Sequence, residues 1–208
     1  MRHIKLFEAF LDESELMNSS EFKNIIDGLD TLEGFMEVNE INFRDRISSI
    51  REDPRSHYTT EEEYYRIEKE HNELNNAYQE ICKFFSESPS DILFIWNPNN
   101  IGGASDPGVE LYCELMDKLF GEHLDMGTPP YDEAIFVGPS PKDYLGSPKK
   151  TIVIEESDVY HHKISMYQSP DGLKFVSWEW GRNIDGQTEW MCTRSLVESA
   201  LSHLDKNK

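Results

Sequence analysis

The sequence predicts an α+β fold: an N-terminal helical layer packed on a mixed, mostly antiparallel sheet of about five or six strands, with two further helices. Three observations lead there. Residues 60–85 carry an apolar stripe at helical spacing, the stretch SESPSD at 86–91 breaks that texture, and short apolar runs punctuated by turn residues follow it. The best internal boundary therefore separates a helical region, residues 1–88, from an α+β sheet region, residues 89–208, the two forming one unit.

The elements are justified in chain order. Ile4, Leu6, Phe7, Phe10 and Leu11 make a short amphipathic helix at the N-terminus. Ser20 can cap a helix burying Phe22, Ile25, Ile26 and Leu29, and Gly28, Asp30 and Gly34 mark turns around it. Residues 32–38 fit helix and strand equally, whereas Phe43, Ile47 and Ile50 share a helical face in a segment that Pro54 closes. Thr60 and Glu63 form a capping box, after which Ile67, His71, Leu74, Tyr78, Ile81 and Phe85 recur at alternating spacings of four and three. That seam must be buried against the earlier helices or against a second copy in a homodimer. His71 lies on it, in a packing role or with a hydrogen-bond partner.

Ile92, Leu93, Phe94, Ile95 and Trp96 form a continuous apolar run, too short for a helix and without the alternation of a half-exposed strand, so both faces of this strand should be covered. Residues 133–137 and 151–155 read as further strands, separated by a proline- and glycine-rich loop at 138–150. KISMYQ and LKFVSWEW flank Ser169-Pro170-Asp171-Gly172, a turn whose proline presets φ and whose glycine accepts the left-handed position, so they form a hairpin. Trp178 and Trp180 share a face with Val176 and should cover the core. Residues 187–192 add a strand bearing Trp190, and Thr193 caps a last helix carrying Leu196, Val197, Ala200, Leu201 and Leu204.

Composition narrows the function classes. With 20 Lys+Arg against 40 Asp+Glu the formal net charge is -20, divided -11 and -9 between residues 1–90 and 91–208. Such a surface gives no basic patch for nucleic acid or an anionic membrane, and it suits a well-solvated protein or one that steers a basic partner. No apolar run approaches a membrane span, and Cys82, Cys113 and Cys192, odd in number and each in an apolar pattern, fit a reducing cytoplasm.

The candidate ligand site is the connection after the first strand. Asn97, Asn99 and Asn100 leave the sheet, Gly102 and Gly103 can take positive φ, and Asp106 with Pro107 can start a helix whose apolar face is Val109, Tyr112, Leu115, Met116, Leu119 and Phe120. A strand, a glycine loop and a helix N-terminus aim backbone N–H groups at one place, which suits a phosphate or carboxylate. This segment resembles the ADP-ribose-binding turn of macrodomains, where an apolar strand ends in an asparagine-rich segment and glycines precede a helix. The resemblance implies adenine or ribose contacts from Asn97 and Asn99 and a diphosphate over Gly102–Gly103. The chain departs from it where Ala104-Ser105-Asp106-Pro107 interrupts the glycines.

The N-terminus carries a second resemblance. MRHIKLFEAFLDE is similar to the leaders of proteins of large T-even-like tailed phages, which the prohead protease cuts after Leu/Ile-x-Glu and before a small residue. Leu6-Phe7-Glu8 before Ala9 fits, and the resemblance implies removal of residues 1–8. Glu155, Glu156, Asp158, His161 and His162 form the one acid–histidine cluster, able to hold a metal or act as an acid–base pair if Glu155 and His161 converge. A solvated strand end explains it as well. No nucleophile elbow, P-loop, HExxH or cysteine-pair zinc pattern occurs, and the sequence names no catalytic residue, metal or cofactor.

Three functions rank in this order: a phage-encoded accessory protein that binds a host or virion protein through its acidic surface, as an inhibitor of host defence; a nucleotide or ADP-ribose binding module or enzyme centred on residues 97–109; and an internal virion protein. The expected location is the host cytoplasm, with packaging in the virion under the third.

Overall fold

The chain runs through three helices before it reaches a sheet: α1 (Ser19–Gly28), α2 (Leu32–Glu52) and α3 (Glu61–Phe85). A 3-10 turn, Pro89–Asp91, leads into β1 (Ile92–Ile95), and then come β2 (Asp125–Met126), β3 (Phe136–Val137), β4 (Lys150–Glu156), β5 (Tyr160–Gln168), β6 (Lys174–Arg182), β7 (Gln187–Thr193) and α4 (Arg194–Leu201). This is a computed structural model, and it describes residues 19–52, 61–95, 125–126, 136–137, 145–156, 160–182 and 187–201.

Strands β1, β7, β6, β5 and β4 form one five-stranded sheet in that order, and β2 pairs with β3 in a separate ladder. Every described pairing is antiparallel. The hairpin expected from Ser169-Pro170-Asp171-Gly172 joins β5 to β6. Gly172 takes φ +94, a region where an L side chain is strained. Ser169 ties the turn with its Oγ, which accepts the Leu173 N–H at 2.9 Å.

The α+β layout follows from how the apolar residues divide. On one face of the sheet Ile92, Phe94, Ile164, Met166, Val176, Trp178 and Met191 pack with Leu32, Leu74, Ala77, Tyr78, Ile81 and Phe85 of α2 and α3 in a single cluster. This is the N-terminal helical layer on the sheet, and it absorbs the α3 seam within the chain: Ile67, Leu74, Tyr78, Ile81 and Phe85 are all buried. The other face holds Leu93, Ile95, Tyr167, Phe175, Trp190 and Cys192, also buried, with Val197 of α4 and Leu145. Burial on both faces is what the uninterrupted run at 92–95 requires.

Trp178 is the hub of the helix-facing side, 2% exposed. Its ring meets Phe35 edge-on at 4.9 Å, Tyr78 at 5.7 Å, Phe94 at 6.4 Å and His162 at 5.7 Å. Trp180 packs on the same cluster, as its shared face with Val176 predicts. Trp190, in register with Ser177, faces the other way and packs on Tyr167.

Two local expectations need correction or completion. Gly34 is not a turn residue: it lies in the first turn of α2, where its N–H donates to Thr31 Oγ1 at 3.1 Å. A threonine cap three residues upstream satisfies that orphan donor and starts the helix before the glycine. The ambiguous stretch 32–38 is accordingly helical. Thr193 caps α4 as expected, its Oγ1 accepting the Leu196 N–H at 3.3 Å. The proposed capping residue Thr60 and the N-terminal segment 1–18 lie outside the described residues, as does most of the 138–150 loop.

Candidate functional site

The sequence-derived ligand residues Asn97, Asn99, Asn100, Gly102, Gly103 and Asp106 lie outside the described residues. The structure does define the end of the sheet from which that loop departs. Ile95, the last residue of β1, is in register with Trp190, and Glu189 is the next position outward on β7. Glu189 is in register with Trp178, so it sits on the helix-facing side among apolar and aromatic groups. Burial pushes its carboxyl up to about 7, and the nearby charge of Asp30 adds to the rise. A carboxyl that stays half-protonated near neutral pH can donate a hydrogen bond or exchange a proton, which an ordinary surface glutamate cannot. Asp30 reaches this region because its carbonyl accepts the Phe94 N–H at 2.9 Å, and Thr31 bridges Leu93.

The acid–histidine cluster resolves into two cross-strand pairs. Glu155 is opposite His162 and Glu156 opposite His161, with a bulge between Val153 and Glu155 setting that register. The convergence of Glu155 with His161 that a metal or acid–base pair needs is not the pairing observed, and Asp158 lies outside the described residues. His162 is committed to the core, its Nε2 accepting the indole N–H of Trp178 at 2.9 Å. Burial holds its pKa below the usual histidine value, with Glu70 opposing the shift and His161 adding to it. Among the described residues no group of three histidine, cysteine or acidic side chains stands ready for one metal ion.

His71 plays the packing role its place on the stripe suggests. Its ring stacks on Phe43 with centroids 3.8 Å apart, and its Nε2 lies 2.9 Å from Asn75 Nδ2 and 3.3 Å from Glu40 Oε2. His71 thus joins α3 to α2, and His162 joins β5 to β6.

The remaining candidate is a surface. Val38 and Ile41 are 54% and 56% exposed, on the side of α2 turned away from Leu32, Phe35 and Asn39. At spacing i, i+3 they stand side by side, and the exposed acids Glu37 and Asp45 occupy the same outward side. Two adjacent β-branched side chains are thus left in water on this helix, with Glu37, Arg44 and Asp45 exposed around them. The sequence pattern held the signal, since α2 has more apolar residues than one buried stripe needs. A separate open cavity of about 290 Å³ lies at the far end of the sheet, lined by Phe85, Lys174, Thr193 and Ser195 among others. There Lys174 Nζ donates to the Phe84 carbonyl at 2.7 Å, closing the C-terminus of α3.

No helix among the described residues is long and apolar enough to cross a membrane. No protein-family model, curated protein or solved structure matches this chain.

Proposed function

We propose that this is a phage-encoded acidic accessory protein that works by binding a host or virion protein, with the outward side of α2 as its contact surface and interference with a host defence as its purpose. The observation that carries this reading is the exposed Val38–Ile41 pair beside Glu37 and Asp45. The partner that fits is a basic, amphipathic segment: its apolar side covers the pair while its cations meet a chain of net charge -20. The leader-like sequence Leu6-Phe7-Glu8-Ala9 supports the phage origin, and it would allow delivery inside the virion after cleavage.

The test is affinity capture from host lysate at low and high salt, with wild type beside the Val38→Ser/Ile41→Ser double variant. A partner held through this patch is retained by wild type, weakened by salt and lost from the double variant. Equal capture by both proteins rules the patch out as the contact.

A second reading has its own observation. Glu189, with its raised carboxyl pKa, sits where the chain leaves β1 toward Asn97, which favours a nucleotide or ADP-ribose site there. A thermal-shift response to ADP-ribose that disappears in both Asn97→Ala and Glu189→Gln would place this reading first.

A further inference from the structure

Strand β5 carries, against the Trp178 hub, a histidine whose two protonation states bond differently. Neutral His162 offers Nε2 as an acceptor to the buried indole N–H of Trp178, 2.9 Å away, so its ring proton is on Nδ1. Protonation converts Nε2 into a donor. Two donors then face each other, and the indole N–H of the hub residue is left buried without an acceptor. Two carboxylates bear on the charged ring, one of them, Glu70, itself paired with Arg46. Glu70 of α3 acts on it electrostatically, and Glu155 of β4 is its cross-strand neighbour. Tyr160, on the same strand, feels both of those carboxylates. The remaining groups around it are His161 beside it, which opposes a second positive charge, and Trp180, its register partner on β6.

We infer that the His162–Trp178 pair is an acid-sensitive latch between β5 and β6 that holds the Trp178 indole in place beneath the α2–α3 layer at neutral pH and lets it go when His162 is protonated and drawn toward the Glu70 and Glu155 carboxylates. The direction of linkage agrees. Burial lowers the folded-state pKa of His162, so the unfolded chain binds the extra proton first. The latch's contribution is complete above the unfolded value of about 6.5 and is lost as pH falls below it toward the folded value. Because Trp178 also packs on Phe35 and Tyr78, one from each helix, release of its indole loosens both helices together.

Two measurements on the full chain test the latch. In NMR at neutral pH the Trp178 indole N–H should be protected from exchange and His162 should show the Nδ1–H tautomer. On acidification the indole protection should vanish in step with titration of the His162 ring. Protection that persists after His162 has titrated overturns the proposal. In parallel, His162→Gln supplies a neutral acceptor in place of Nε2. The wild-type melting temperature should lose about 2–4 °C relative to His162→Gln between about pH 7.5 and 5.5, with the His161→Gln and His71→Gln backgrounds showing the same loss. A wild-type-minus-variant difference that does not change with pH overturns it equally.

Discussion

Helices α2 and α3 lie side by side on the same sheet, yet they divide their side chains differently. Helix α3 turns its apolar stripe from Leu74 to Phe85 inward onto the Trp178 cluster and leaves polar residues such as Glu73 and Lys83 toward solvent. Its partner α2 buries Leu32 and Ile47 and packs Phe35 and Met36 inward, but it also carries Val38 and Ile41 outward. The Asn39–Tyr78 hydrogen bond at 2.7 Å and the His71–Phe43 stack fix α2 against α3, so its outward side is held in place rather than free to roll inward. An apolar pair held in water on a fixed helix is what the proposed contact surface rests on. Among the described residues α3 exposes no such apolar pair, and α2 is the helix on which the proposed contact rests.

The largest effects should come from the inward side. Trp178→Ala removes the residue that touches both helices, and chemical denaturation should show a loss of about 3–5 kcal/mol. Ile81→Ala, fully buried on α3, should cost about 2–4 kcal/mol by the same measurement. If the two helices were only loosely laid on the sheet, both values would fall to those of surface substitutions.

An opposite sign is expected at Glu189. Its folded-state pKa is raised, so folded protein holds the proton between the ordinary carboxylate value and about 7 while unfolded chain does not. Wild-type stability therefore declines as pH rises through that window and levels off above it. Glu189→Gln should match wild type in acid and exceed it above about pH 7 by about 1–2 kcal/mol, allowing for partial solvent screening. The gain should appear in paired melts at several pH values.

Smaller still, Tyr78→Phe deletes only the hydroxyl that joins α3 to Asn39 of α2 and should cost about 1 kcal/mol in denaturant. Smallest of all, Val38→Ser and Ile41→Ser should change stability by no more than about 0.5 kcal/mol. A loss well above that would mean that the outward side of α2 supports the fold after all.

The contrast between the helices also explains what the sequence makes legible. The α3 stripe is read directly because one apolar face at spacings of three and four leaves a single helical solution. Residues 32–38 are ambiguous in sequence because Val38 and Ile41 add apolar positions off the buried stripe and blur the period, and Gly34 imitates a turn. The deciding feature is the Thr31 cap, a contact between one hydroxyl and one N–H that periodicity does not encode. In the sheet, the 92–95 run and the Pro-Asp-Gly hairpin are legible from local chemistry. The partner of His162 is not, because Trp178 lies on the neighbouring strand in a register fixed by pairing, and the bulge near Val153 sets Glu155 opposite His162. Glu189 is legible only as an acid within an apolar strand, and what raises its pKa is burial by the folded chain, with Asp30, far away in sequence, adding to it.

Whether α2 is a contact surface can be decided by site-specific photo-cross-linking, which works before any partner has been identified. A benzophenone side chain would be placed at position 41 and, in a separate protein, at position 153, since Val153 is an equally exposed apolar residue on the far edge of the sheet. If the proposed phage origin holds, position 41 should cross-link in infected cells to a discrete host or virion protein in a salt-sensitive manner and position 153 should not. A discrete cross-link from position 153 with none from position 41 would contradict the assignment of α2 as the contact.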